Sequence, residues 1–116
     1  MIYYAVIAKN TYVLADYAKY DGEFPIVFQQ IINTTPKTNK ISTYTKGEHA
    51  YCLRHNTDGF AFGCLINSKA SQEASLKFLE LLQARAYNYL EMASKKAAPQ
   101  ATATTLTKII RDLIVT

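Results

Sequence analysis

The chain has little of what staples, breaks or anchors polypeptides. It contains no tryptophan, three prolines, four glycines, two cysteines and two histidines in 116 residues. His49 and His55 share one parity of a strand-like run but lie roughly 20 Å apart along an extended chain, so they cannot hold a metal together directly. Neither a Gly-x-Ser-x-Gly, a Gly-x-Gly-x-x-Gly nor a phosphate-loop pattern occurs among so few glycines. The nine acidic residues fall mostly at expected loops or outer helix faces. No catalytic, metal-ligating or cofactor-binding residue is therefore nominated, and an enzyme is not expected. The longest apolar run, Ile2 to Ala8, is far below the ~20 residues of a membrane-spanning helix. Two cysteines without a signal peptide or a lipidation motif point to a reducing, cytosolic setting. With the first apolar run so near the initiator methionine, no targeting segment is expected before it.

What is present suits one ordinary globular domain over residues 1–116. The chain is 49% hydrophobic and long enough to bury roughly two thirds of its unfolded surface without staples. Its net charge of +4 is strewn along the whole length rather than concentrated, so no nucleic-acid partner is expected. The only local pair, Lys95-Lys96, suits the C-terminal end of a helix, where cations meet the negative end of the dipole.

The opening "MIYYAVIAKNTYVLADYA" reads as two strands around an Asn10-Thr11 turn. Ile2 to Ala8 is apolar on both parities, and a strand greasy on both sides must be covered on both sides. The run after the turn alternates less cleanly, with Tyr12, Leu14 and Asp16 opposite Val13, Ala15 and Tyr17, as near a sheet edge. "FPIVFQQIINTTP" spaces its apolar residues as a helix of about three turns, with Pro25 in the first turn and Pro36 as its stop. Three strand-like runs follow, "NKISTYTKG", "EHAYCLRH" and "DGFAFGCLIN", and the last is again apolar on both faces. A long helix begins at Ser71, with Ser75, Phe78, Leu82, Ala86, Tyr89 and Ala93 on one stripe and Leu79 and Leu90 on its shoulder. After a break at Pro99, Leu106, Ile109, Ile110 and Leu113 define a last helix that Thr102, Thr104 or Thr105 would cap.

The order is β-β-α-β-β-β-α-α, an α+β fold in which one helix covers one sheet face and a pair covers the other. In this layout the first and last strands are central, and the run holding Ile41 and Tyr44 is outermost, with Lys40 and Lys46 blunting its edge. A two- or four-residue turn near Asn56–Gly59 would send Cys52 and Cys64 to opposite faces, as buried free thiols, with a disulfide disfavoured unless a bulge shifts the register. Both histidines read as partly exposed sheet residues. On the first helix, Phe24, Val27 and Ile31 define the inward direction, and Phe28 and Ile32 fall on one flank. That flank beside the outermost strand makes a groove for a helix or an extended peptide, formed by Phe28, Ile32, Ile41 and Tyr44.

These phrases, together with Gly22-Glu23-Phe24 at the helix entry and "ASLKFLELLQARAYNYL", resemble the longin domain at the N-terminus of synaptobrevin-related R-SNAREs of the vesicle-associated membrane protein type, over essentially the whole chain. The resemblance implies a profilin-like fold, a five-stranded antiparallel sheet between one helix and a pair. It implies a regulatory domain in vesicle-mediated transport and membrane fusion, folding back on its own or a cognate SNARE motif and presenting a sorting surface to coat adaptors or other trafficking proteins. The family's surface on the first helix and third strand falls on Phe28, Ile32, Ile41 and Tyr44. No cofactor is implied. The expected location is the cytoplasmic face of vesicle, endosomal or other endomembranes, with membrane contact only through a C-terminal anchor that these 116 residues lack. A SNARE motif is missing too, so the reading is of an excised regulatory domain or a stand-alone relative. A structural subunit of a vesicle-tethering complex is the alternative function.

Overall fold

Two strands have no polar face, and both lie inside the sheet. The computed structural model describes residues 2–10, 12–20, 22–34, 41–56, 59–93 and 100–115, with the backbone alone for 91–93 and 100–103. Its elements are β1 (Ile2–Lys9), β2 (Tyr12–Ala18), α1 (Phe24–Thr34), β3 (Ile41–Lys46), β4 (His49–His55), β5 (Phe60–Asn67), α2 (Gln72–Ala93) and α3 (Gln100–Ile114). The strands form one antiparallel sheet in the order β2-β1-β5-β4-β3. β1 and β5 occupy its middle, and β3 is a rim strand, as the apolar patterns require. This is an α+β fold, consistent with the profilin-like arrangement that the resemblance implies. Lys40, Pro36, Lys95-Lys96, Pro99 and Thr11 lie outside the described residues.

The sheet has a separate core on each face. Tyr4, Val6, Ala8, Tyr51, Leu53, Ala61 and Leu65 meet Phe28, Ile31 and Ile32 of α1. On the other face Ala5, Ile7, Cys52, Phe62, Cys64 and Ile66 meet Phe78, Leu79, Leu82 and Ala86 of α2 and Leu106 and Ile110 of α3. At ~25 cal/mol per Å² of apolar surface removed from water, these two seams dominate the stabilisation.

Lys9 pairs with Tyr12 around a two-residue turn, and Asn10 takes the positive φ of 55° that such a turn requires. A register shift between Ile7 and Ala8 then leaves Leu14 without an opposite residue, so Leu14 and Ala15 both contribute to the α2–α3 side. This bulge is why β2 alternates poorly. Ser71 caps α2, its Oγ accepting the Ala74 N–H at 3.3 Å. Among the described side chains of α2 the buried stripe includes Phe78, Leu79, Leu82, Ala86 and Leu90, while Tyr89, expected on it, is exposed, and the Ala93 side chain lies outside the described residues. α3 begins at Gln100, so Thr102, Thr104 and Thr105 lie inside the helix rather than at its cap.

Three expectations fail for identifiable reasons. The β4–β5 hairpin closes on Asn56 and Phe60, with an odd number of residues between them in the sequence: the Asn56 N–H donates to Phe60 O at 2.8 Å, and Asn56 Oδ1 accepts the Phe60 N–H at 2.9 Å. An odd-length turn reverses the parity, so Cys52 and Cys64 are directly opposed on one face instead of turned apart. His55 is 2% exposed, because β4 is an interior strand and this residue sits opposite the small Ala61. Finally, α1 is rolled relative to the expected wheel. Phe28, Ile31 and Ile32 are buried, and Phe24 and Val27 are half-buried shoulders. Gly63 explains the roll: a Cβ there would stand 2.7 Å from the Phe28 ring and 2.9 Å from Val6 Cγ1, so the bare backbone is the notch that receives Phe28.

Candidate protein-binding surface

Phe28 is the anchor of the α1 side. Its ring lies 5.4 Å from Tyr4 and 5.1 Å edge-on from Tyr51, distances at which aromatic pairs attract beyond simple burial. Tyr4 in turn donates its hydroxyl to Asp16 Oδ2 at 2.7 Å, which gives a buried phenol the acceptor it needs. Burial, the bond to Asp16 and the Asp16 charge together push the Tyr4 hydroxyl far above the ordinary tyrosine range. Burial, and then the nearby Glu23 charge, raise the Tyr51 hydroxyl as well. Phe24 caps this aromatic row, 5.5 Å from His49, which also meets Tyr3 edge-on at 5.6 Å.

The rim strand continues that row outward. Tyr44 pairs with Tyr51 across β3 and β4 and is 42% exposed, so an accessible phenol stands one strand away from the Phe28 contact. Ser42 pairs with Leu53 and shares this face. Phe28 and Ile32, at 0% and 1% exposure, lie beneath as core, and they support the surface rather than form it. Ile41 is on the other face. It stands three residues from Tyr44, opposite Arg54, and packs half-buried against the α2–α3 core. The four residues nominated for the groove are thus divided, with Phe28, Ile32 and Tyr44 on the α1 side and Ile41 on the opposite side.

Two accessible features escaped the sequence. Ile26 is 64% exposed on the outward side of α1, and its place on the wheel, nearly opposite Phe28, was the available signal. On the other face a hollow of about 430 Å³ between β4 and α2 is lined by Arg54, Glu80, Gln83, Ala84 and Tyr87, with Arg54 and Glu80 4.0 Å apart. These meet only when the helix is laid on the sheet, so no local pattern announced them. Among the described residues no cluster of three metal-ligating side chains occurs, and no helix is long and apolar enough to cross a membrane.

No family model matches the chain. It is 29% identical over 82 residues to vesicle-associated membrane protein 724 of Arabidopsis thaliana, covering 70% of this chain and 36% of that protein. It is 27% identical over 77 residues to the putative vesicle-associated membrane protein 726 of the same plant, covering 66% of this chain and 34% of the relative. The chain therefore spans about a third of the length of the curated relatives it matches. A five-stranded antiparallel sheet with one helix on one face and two on the other is consistent with a longin-type domain. With the likeness to these two proteins, it supports a VAMP-like longin domain.

Proposed function

We propose that residues 1–116 form a single regulatory longin domain of a vesicle R-SNARE, controlling SNARE assembly and sorting by reversible burial of an apolar segment. The observation that carries this reading is the likeness to two vesicle-associated membrane proteins over most of this chain. No reaction is catalysed. The partners are its own or a cognate SNARE motif and, in competition with it, coat adaptors or other trafficking proteins. The working location is the cytoplasmic face of endomembranes.

The α1-side rim is the place for such a segment. β3 ends the sheet, so its outer backbone groups lie at an edge where another chain adds main-chain hydrogen bonds. Tyr44 supplies an accessible aromatic contact beside that edge, and Ile26 a second apolar contact across the helix. Aromatic side chains of this kind contribute disproportionately to binding. Phe28 and Ile32 seat the helix on β1, β4 and β5, the strands inside that rim.

The test is a titration of the chain with a peptide of the R-SNARE motif from vesicle-associated membrane protein 724, followed by tyrosine fluorescence or calorimetry. Tyr44→Ser is expected to weaken binding about tenfold, equivalent to ~1.4 kcal/mol, while the thermal unfolding midpoint stays in place. Equal affinity for wild type and both Tyr44→Ser and Ile26→Ser would remove the rim from the interface. No binding by the wild type would remove the SNARE-motif partner itself.

A further inference from the structure

The two cysteines find no use in a binding surface, yet the fold brings them together. Cys52 and Cys64 are directly opposed in the β4–β5 ladder, neighbours on the same sheet face, both unbridged and buried. Directly opposed residues in an antiparallel pair have Cα atoms roughly 4.5–5.5 Å apart. That span lies inside the roughly 4.4–6.8 Å over which a disulfide closes. The odd spacing between Asn56 and Phe60 creates this juxtaposition, since one residue more or fewer would place the thiols on opposite faces.

The two sulfurs are not equivalent. Hydrogen bonding from the Cys64 thiol lowers the Cys52 thiol below its ordinary range, against the opposing effect of burial. The Thr43 hydroxyl, 4.0 Å from Cys52 Sγ, acts in the same direction. The Ser75 hydroxyl also lies near, but its proton is committed to Gln72 O at 2.7 Å. Cys64 is pushed well up by its bond to Cys52 and by burial. Cys52 also lines a cavity of about 210 Å³, shared with Thr43, Thr45, Ile66, Ser68 and Gln72, whereas Cys64 does not. A small hydroperoxide, close in size to the ~30 Å³ a water molecule occupies, fits that space with room to spare.

We propose that Cys52 and Cys64 are a reversible dithiol–disulfide pair, with Cys52 the thiol that meets a hydroperoxide oxidant and Cys64 the resolving thiol. The Cys52 thiolate attacks one peroxide oxygen; an S–O bond forms, the O–O bond breaks, and the departing hydroxide takes a proton to become water. The Cys64 sulfur, giving up its proton, then attacks the sulfenic sulfur. An S–S bond forms, the S–O bond breaks, and a second water leaves. The pair loses two electrons and hydrogen peroxide is reduced to two waters. A dithiol such as dithiothreitol reverses the step and is itself oxidised to its cyclic disulfide. This inference does not depend on the vesicle-transport reading.

The experiment treats the whole chain with hydrogen peroxide and reads intact mass and peptide maps under non-reducing conditions. The mass is expected to fall by about two units, the loss of two hydrogens, with a 52–64 cross-link that dithiothreitol abolishes. The Cys64→Ser variant is expected to accumulate a dimedone-reactive sulfenic acid at Cys52, and Cys52→Ser to form none at Cys64. Two free thiols after treatment, a gain of about 32 units from sulfinic acid without a cross-link, or a cross-link between two chains would each overturn the proposal. The wild-type map needs no variant, so a variant that fails to fold leaves the test intact.

Discussion

The two faces of one sheet are covered by different means. On the α2–α3 side two helices lay a broad apolar layer over the strands, with Phe78, Leu82, Ala86, Leu106 and Ile110 buried along their length. On the α1 side a single helix of 11 residues does the same task with one phenylalanine in a glycine notch and a ring of tyrosines. A wide, two-helix cover spreads its energy over many modest contacts. A narrow one concentrates it, and leaves the rim strand open for use.

That contrast is broken or sharpened by mutation. Phe28→Ala is expected to cost ~3–5 kcal/mol in urea unfolding, and Leu106→Ala ~2–5 kcal/mol. A Leu106 variant clearly more damaging than the Phe28 one would show that the narrow side is not the concentrated one. Gly63→Ala is expected to cost ~1–3 kcal/mol by overpacking the notch, and the loss should shrink in a Phe28→Leu background. Additive losses in that double variant would mean the notch does not seat the ring.

Asp16→Ala leaves the Tyr4 hydroxyl buried without its acceptor, an expected loss of ~1–3 kcal/mol that Tyr4→Phe should partly recover. The same pair sets an alkaline limit. Tyr4 ionises far above the ordinary tyrosine value of 10.0 when folded, whereas the unfolded chain releases that proton near it, so stability present below pH 10 falls as pH rises further. Unfolding curves between pH 9 and 12 should show this slope in the wild type and a smaller one in Tyr4→Phe. Tyr44→Ser should move stability by less than ~0.5 kcal/mol, the smallest effect of the set, because its side chain lies on the accessible rim.

Patterns that depend on one strand or one helix were legible. Ile2–Ala8 and Phe60–Ile66, apolar on both parities, announced the middle of the sheet, and with those two strands central the run holding Ile41 and Tyr44 fell at its rim. The groove nomination put Ile41 and Tyr44 on one surface, although residues three apart on a strand face opposite sides, and the structure divides them accordingly. The facing of Cys52 and Cys64 was not legible, because it turns on whether the connection between Asn56 and Phe60 is odd or even, and turn residues such as Asn56 and Gly59 suit several lengths. Nor was the roll of α1. Its apolar stripe spans Phe24, Val27, Phe28, Ile31 and Ile32, wide enough to admit two centres, and the choice between them was made by Gly63 on a distant strand.

The notch has a consequence for birth order. Phe28, Ile31 and Ile32 leave the ribosome about thirty residues before Gly63, which at ~5–20 residues per second means a wait of a few seconds. β1 waits as well, since its second neighbour in the sheet is β5. Throughout that interval the nascent amphipathic helix has only the β1–β2 hairpin to lie on and no notch for Phe28, and a chaperone that shields aromatic side chains would find its client there.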